Sequence, residues 1–129
     1  MKLKATLIVL VLVLVGALAG CSTMMSDSAP AHAQGGVLVD AKGMTLYTFD
    51  KDPANSSKSV CVDQCAKAWP PLVAPVDAKA VGDYTVITRN NGSKQWAYKG
   101  KPLYTWVKDT KPGDTTGDGF RNIWRVARP

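Results

Sequence analysis

After residue 36, the patterned stretches of this chain read as short strands separated by turns, and none follows the 3.6-residue period of a helix for three turns. Val37-Leu38-Val39 is a short apolar run, Asp40-Ala41-Lys42-Gly43 carries turn residues, and Met44 to Phe49 alternates again, which predicts a hairpin. A second series begins at Tyr84. Tyr84 to Arg89 reads as a strand, Asn90-Asn91-Gly92-Ser93 as a turn, Gln95 to Tyr98 as a strand, Lys99-Gly100 as a turn, and Leu103 to Val107 as the returning strand of a three-stranded meander. Ile123 to Ala127 predicts a last strand. No stretch holds three turns of amphipathic helix. One helical turn is expected near Cys65 to Trp69, stopped by Pro70-Pro71, since proline lacks the N–H that would continue it.

The two series share a repeat. Residues 43–52 and 100–109 match position by position: both open on glycine, continue Leu-Tyr-Thr-aromatic, and close on Lys-Asp. Each copy reads Tyr-x-aromatic-x-x-Asp. Strand alternation puts Tyr47 and Phe49 on one face and Leu46 and Thr48 on the other; Tyr104 and Trp106 share a face in the same way. Asp52 and Asp109 fall where each strand runs out, the first next to Pro53 and the second close to Pro112-Gly113, where a carboxylate accepts hydrogen bonds from turn N–H groups. Two readings follow. The aromatics fill a core and the aspartates fix turns, or Tyr47, Phe49, Asp52, Tyr104, Trp106 and Asp109 form a binding patch with the carboxylates as polar anchors. The expected fold is all-β: a small two-repeat antiparallel domain, sandwich or barrel-like, because neither repeat could bury its apolar face alone.

The N-terminus has a different pattern. Lys2 and Lys4 precede an uncharged stretch from Ala5 to Ala19, with a continuous Leu/Ile/Val run from Leu7 to Val15. That run is too short to span a bilayer, which needs about 20 apolar residues, and reads as a secretory leader over residues 1–20. It ends in Leu18-Ala19-Gly20-Cys21, which resembles the lipobox of bacterial lipoproteins. The resemblance implies cleavage before Cys21, diacylglycerol on its thiol and an N-acyl chain on its amine; two or more chains hold a protein stably at a membrane. Ser22, rather than aspartate, then points to the periplasmic side of the outer membrane if the cell has two membranes. Residues 21–35, rich in Ser, Met, Ala and Gly, read as the lipidated cysteine and a flexible tether, and residues 36–129 as the β domain.

Composition narrows the chemistry. All ten acidic residues are aspartate, which favours turns over helices. The net charge is +6, and +4 without Lys2 and Lys4 (6 − 2), with the basic residues scattered, so a nucleic-acid role has little support. The single histidine, His32, lies in the expected tether. The folded part therefore offers no Ser-His-Asp triad, no Cys-His pair and no histidine metal site. No catalytic residues, no metal site and no cofactor beyond the Cys21 lipid are expected, and the implied partners are the membrane and another envelope protein or surface component.

Cys61-Val62-Asp63-Gln64-Cys65 remains. On one helical turn, residues four apart lie about 6 Å apart at Cα, within disulfide range, and an exported chain meets an oxidising compartment. A structural disulfide between Cys61 and Cys65 is expected. The alternative is an extracytoplasmic thiol-redox or Cu(I)-handling pair, with Met44 as a conceivable third ligand. Asp109, Asp114 and Asp118 lie in an oxygen-rich loop without EF-hand spacing, and loop chemistry accounts for them without calcium.

Taken together, the lipobox, the duplicated motif, Cys65-Ala66-Lys67-Ala68-Trp69-Pro70-Pro71-Leu72 and Gly117-Asp118-Gly119-Phe120 before Trp124 resemble the secreted-repeat lipoproteins with the Tyr-x-aromatic-x-x-Asp motif. The resemblance implies an envelope location and a β-rich repeat across roughly residues 36–129. It implies no activity, the family being one of unknown function.

Overall fold

The computed structural model of the protein describes residues 28–129; the leader at 1–20 and Cys21 lie outside the described residues. Seven strands, one short helix and a 3-10 turn follow in order: β1 (Ala31–Gln34), β2 (Val37–Asp40), β3 (Tyr47–Phe49), α1 (Gln64–Ala68), β4 (Tyr84–Thr88), β5 (Lys94–Tyr98), β6 (Lys101–Pro102), the 3-10 turn Phe120–Asn122 and β7 (Trp124–Val126). They form three antiparallel sheets, β1-β2, β3-β7 and β4-β5-β6. The all-β expectation holds, and no closed barrel is formed among the described residues.

The first two strands of the meander and the helical turn lie where the sequence put them, but the returning strand expected at Leu103 to Val107 is shorter and earlier. β6 covers only Lys101–Pro102, and within 103–107 only Tyr104 is bridged. Leu103 gives its N–H to Trp96 and its carbonyl to Leu72, and Tyr104 pairs with Tyr47, so the β5 ladder is not extended. Asn91 Oδ1 accepts the N–H and the hydroxyl of Ser93 (3.0 and 2.7 Å), which fixes the turn between β4 and β5. Two further differences stand out. Regular structure begins five residues before Gly36, at Ala31, where β1 pairs with β2 across the tight Gly35-Gly36 turn; His32 is therefore in a strand and not in a tether. Both glycines have positive φ, as a two-residue hairpin requires. β1 buries only Ala31, so it leaves no apolar period to read. Second, β2 and β3 form a hairpin only at its closed end. Asp40 accepts the N–H groups of Lys42 and Met44 (2.9 and 3.0 Å), and Leu46 N–H reaches Leu38 O (2.9 Å). The chain then leaves β2, and β3 pairs with β7 at the far end of the sequence.

That departure belongs to an exchange between the two halves. Leu38 N–H donates to Ala127 O, Ala127 N–H to Leu46 O and Leu46 N–H to Leu38 O, closing a ring of three bonds at 2.8–2.9 Å. Trp96 N–H donates to Leu72 O, Leu72 N–H to Leu103 O and Leu103 N–H to Trp96 O, closing a second at 2.9–3.0 Å. Leu46 and Leu103 are the same motif position. The first copy is thus completed by the last segment of the chain, and the second copy by the segment after α1.

Alternation along the motif strands separates two cores. Leu46 and Leu103 pack with Leu38, Tyr84 and Trp96 in one. Tyr47, Phe49, Tyr104 and Trp106 pack with Cys61, Trp69, Trp124 and Val126 in the other.

Candidate functional site

The motif residues of both copies meet at the centre of the second core. Tyr47 and Tyr104 face each other across an antiparallel bridge, with Tyr47 N–H donating to Tyr104 O (2.8 Å) and Tyr104 N–H to Tyr47 O (3.0 Å). From there the phenols diverge, and each reaches the aspartate of the other copy. Tyr47 Oη donates to Asp109 Oδ2 (2.6 Å), and Tyr104 Oη to Asp52 Oδ2 (2.5 Å). The second oxygen of each carboxylate ties down the loop that follows it. Asp52 Oδ1 accepts Val60 N–H (2.7 Å), while Asp109 Oδ1 accepts the N–H and hydroxyl of Thr116 (3.0 and 2.6 Å). The expected turn-fixing role of the aspartates is present, and the crossed bond to the partner tyrosine is added to it.

Both tyrosines are 0 % exposed. Burial, then the neighbouring carboxylate, pushes both hydroxyls well above the ordinary tyrosine range, so both are neutral donors. Burial also raises the Asp52 carboxyl above its usual value, against the bonds from Tyr104 and Val60 that lower it.

Around these pairs runs a column of four rings. Phe49 stacks on Trp124 (centroids 4.3 Å), Trp124 on Trp69 (3.8 Å) and Trp69 on Trp106 (3.9 Å). Tyr47 meets Trp69 edge-on at 5.3 Å, and Tyr104 meets Trp124 edge-on at 5.1 Å. Each contact has its counterpart, as about a twofold axis passing between Tyr47 and Tyr104 and between the central tryptophans. Gly117 closes the column. A Cβ there would lie 2.6 Å from Trp69 Cη2 and 2.9 Å from its Cζ3, so no larger residue fits. The six motif residues read as a possible binding patch are therefore interior, and that reading is corrected: strand alternation placed them on one face, and the face turns inward.

The least symmetric part is Arg89, which sequence reasoning missed. It is 6 % exposed and forms no ion pair with a carboxylate among the described residues. Its guanidinium donates to Ser59 Oγ (2.9 Å), Gln95 Oε1 (2.7 Å) and Cys61 O (2.5 Å). Ser59 Oγ lies 2.6 Å from Tyr104 Oη. With Tyr104 donating to Asp52, the Ser59 hydroxyl donates to Tyr104 and accepts from Arg89. A directed chain of hydroxyls thus joins the buried cation to the buried carboxylate. Gln95 completes it by donating to Leu103 O (2.8 Å). The period of two puts Thr85, Ile87 and Arg89 on one face of β4, but no local signal marks an arginine that will be covered.

Cys61 and Cys65 form the expected disulfide, Cα atoms 5.1 Å apart, with Cys61 buried against the aromatic core. It pins the loop that supplies Ser59 and the Cys61 carbonyl to Arg89. Closing a five-residue loop stabilises by about 2 kcal/mol in the chain-entropy view. Reduction should lower the urea midpoint by a corresponding amount, and neither cysteine should alkylate, folded or in urea, until a thiol reductant cleaves the bond; free thiols in the untreated native protein would contradict this. The three loop aspartates have separate partners. Asp109 holds Tyr47 and Thr116, Asp114 accepts Thr110 and Lys111 N–H groups, and Asp118 accepts Val126 N–H. Among the described residues no three potential metal ligands come together. A cleft of about 200 Å³ lies between the 55–57 loop and the face of β4 and β5 that carries Thr85, Ile87 and Ala97, and its lining residues are uncharged.

These features define a duplicated all-β domain whose halves exchange both strands and tyrosine–aspartate pairs. Residues 29–73 and 85–128 each match the family described as a secreted repeat of unknown function; the two matches span more than half of the chain, and the protein belongs to that family. The boundaries of the matches fall on the two exchanging halves. No match was found among curated proteins or solved structures.

Proposed function

We propose that this protein is a lipid-anchored, non-catalytic module of the cell envelope, held to a membrane through acylated Cys21 and presenting a rigid domain to an envelope protein or surface component. The observation that carries the anchor is Leu18-Ala19-Gly20-Cys21 directly after an uncharged apolar run. The family's description as secreted is consistent with export. The non-catalytic reading is supported by the state of the motif. Its carboxylates and phenols are bonded to one another inside the core, leaving no motif group turned toward a substrate. With Ser22 after the cysteine, the anchor is assigned to the periplasmic face of the outer membrane in a cell with two membranes. The alternative, thiol-redox or copper handling by Cys61 and Cys65, has weaker support, since Cys61 is covered by the aromatic core.

Metabolic labelling with an alkyne palmitate tests the anchor. Wild-type protein should label and sediment with membranes, and Cys21→Ala should lose the label and accumulate as precursor. An unlabelled wild-type protein released to the medium would refute lipid anchoring. Crosslinking in intact envelopes should recover a specific partner of the anchored form; turnover of a substrate by the purified protein would refute the non-catalytic reading.

A further inference from the structure

The contacts that hold the two halves together are reciprocal. Tyr47 reaches Asp109 as Tyr104 reaches Asp52, Trp69 stacks on Trp124 between the halves, and each half lends the other its third strand. Nothing in these contacts requires both halves to lie on one polypeptide. What makes them intramolecular is the connection from Pro75 to Gly82. Its backbone hydrogen bonds are local: Ala78 N–H to Pro75 O (3.0 Å), and the Val81–Tyr84 pair (2.9 Å each way). Val76 within it is 86 % exposed, and Ala78 and Val81 rest only partly against the first core.

We propose that the halves are exchangeable between molecules, so that a second copy of this chain is a partner. The first half of one molecule docks on the second half of another, and the crossed Tyr–Asp pairs form between chains. Exchange of identical elements preserves every buried bond and changes only the path of the connection, which is why it is a low-cost route to a dimer. Intramolecular closure competes with an effective concentration of roughly mM for a short connection. Exchange is therefore expected when chains fold together at concentrations near that value. The proposal does not rest on the lipid anchor.

Complementation between two variants of the whole chain tests it, with refolding from urea in detergent. One variant carries Tyr47→Ala and Asp52→Ala, the other Tyr104→Ala and Asp109→Ala. Alone, each loses both crossed bonds. An exchanged heterodimer unites Tyr47 and Asp52 of one chain with Tyr104 and Asp109 of the other, and so restores one complete unit. The mixture should give a species of dimer mass with up to half the wild-type near-ultraviolet circular dichroism. A signal equal to the mean of the separate variants, under conditions where wild type refolds fully, would overturn the proposal. Should either variant fold alone, wild type refolded across a concentration series decides instead. A dimer that grows toward roughly mM and persists on dilution supports exchange, and monomer throughout overturns it.

Discussion

Trp69→Ala is expected to destabilise the domain by about 3–5 kcal/mol, as large aromatic truncations in a packed core do. Trp69 touches more of the aromatic core than any motif residue: it stacks on Trp124 and Trp106, receives the edge of Tyr47, and meets Phe120 at 5.7 Å. The loss is a large share of the roughly 5–15 kcal/mol that stabilises a typical domain, so the variant should unfold at a markedly lower urea concentration than wild type. Gly117, which lies against the indole, would face the cavity and lose its packing partner. Trp124→Ala should cost a similar amount, because Trp124 holds the equivalent place, stacked on Phe49 and Trp69 and met by Tyr104. Urea unfolding followed by near-ultraviolet circular dichroism measures both. A cost below about 1 kcal/mol at either site would show that the column does not hold the halves together.

A double-mutant cycle on the crossed pairs should give a coupling of about 1.5–3 kcal/mol between Tyr47→Phe and Asp109→Ala, the range for a hydrogen bond to a charged group. The cycle on Tyr104 and Asp52 should give a similar coupling. Pairing Tyr47 with Asp52, in the same repeat and not bonded to it, should give about 0.5 kcal/mol or less. Asp109→Ala alone should cost more than Tyr47→Phe alone. It leaves the Tyr47 hydroxyl and both donors of Thr116 without an acceptor, whereas the phenylalanine leaves Asp109 its two bonds to Thr116. A same-repeat coupling equal to or larger than the crossed one would refute the exchanged arrangement.

Both results depend on a partner choice that the sequence does not display. Tyr47 and Asp109 are 62 residues apart, and Tyr104 and Asp52 are 52 apart. The motif writes tyrosine and aspartate close together within each copy. A sequence reading pairs each aspartate with its own following turn, which is correct for the N–H bonds from Val60 and Thr116 and silent about the phenols.

Local physics was legible from the chain itself. Short apolar runs and alternation between turn residues identified the strands β2 to β5 and β7, while placing the meander's last strand at Leu103 to Val107 instead of β6. Asn91-Gly92 and Lys99-Gly100 identified the turns, and the Pro70-Pro71 stop bounded α1. The equal offsets within residues 43–52 and 100–109 fixed the duplication and the common face of Tyr47, Phe49, Tyr104 and Trp106. The spacing of Cys61 and Cys65 together with expected export favoured a disulfide over a thiol-redox or copper pair, although Cys61 lies before α1 and not on the helical turn. Each of these is set by interactions within a few residues, where period, turn conformation and reach are written directly in residue type. Tertiary structure alone decided that the aromatic face turns inward, that β3 leaves β2 for β7, that β1 extends the domain to Ala31, and that Arg89 is buried against Ser59, Gln95 and Cys61. The physical reason is that two amphipathic repeats satisfy their apolar faces and polar groups only by facing each other. The residue that completes a bond is therefore chosen by the docking of the halves and not by its neighbours in sequence.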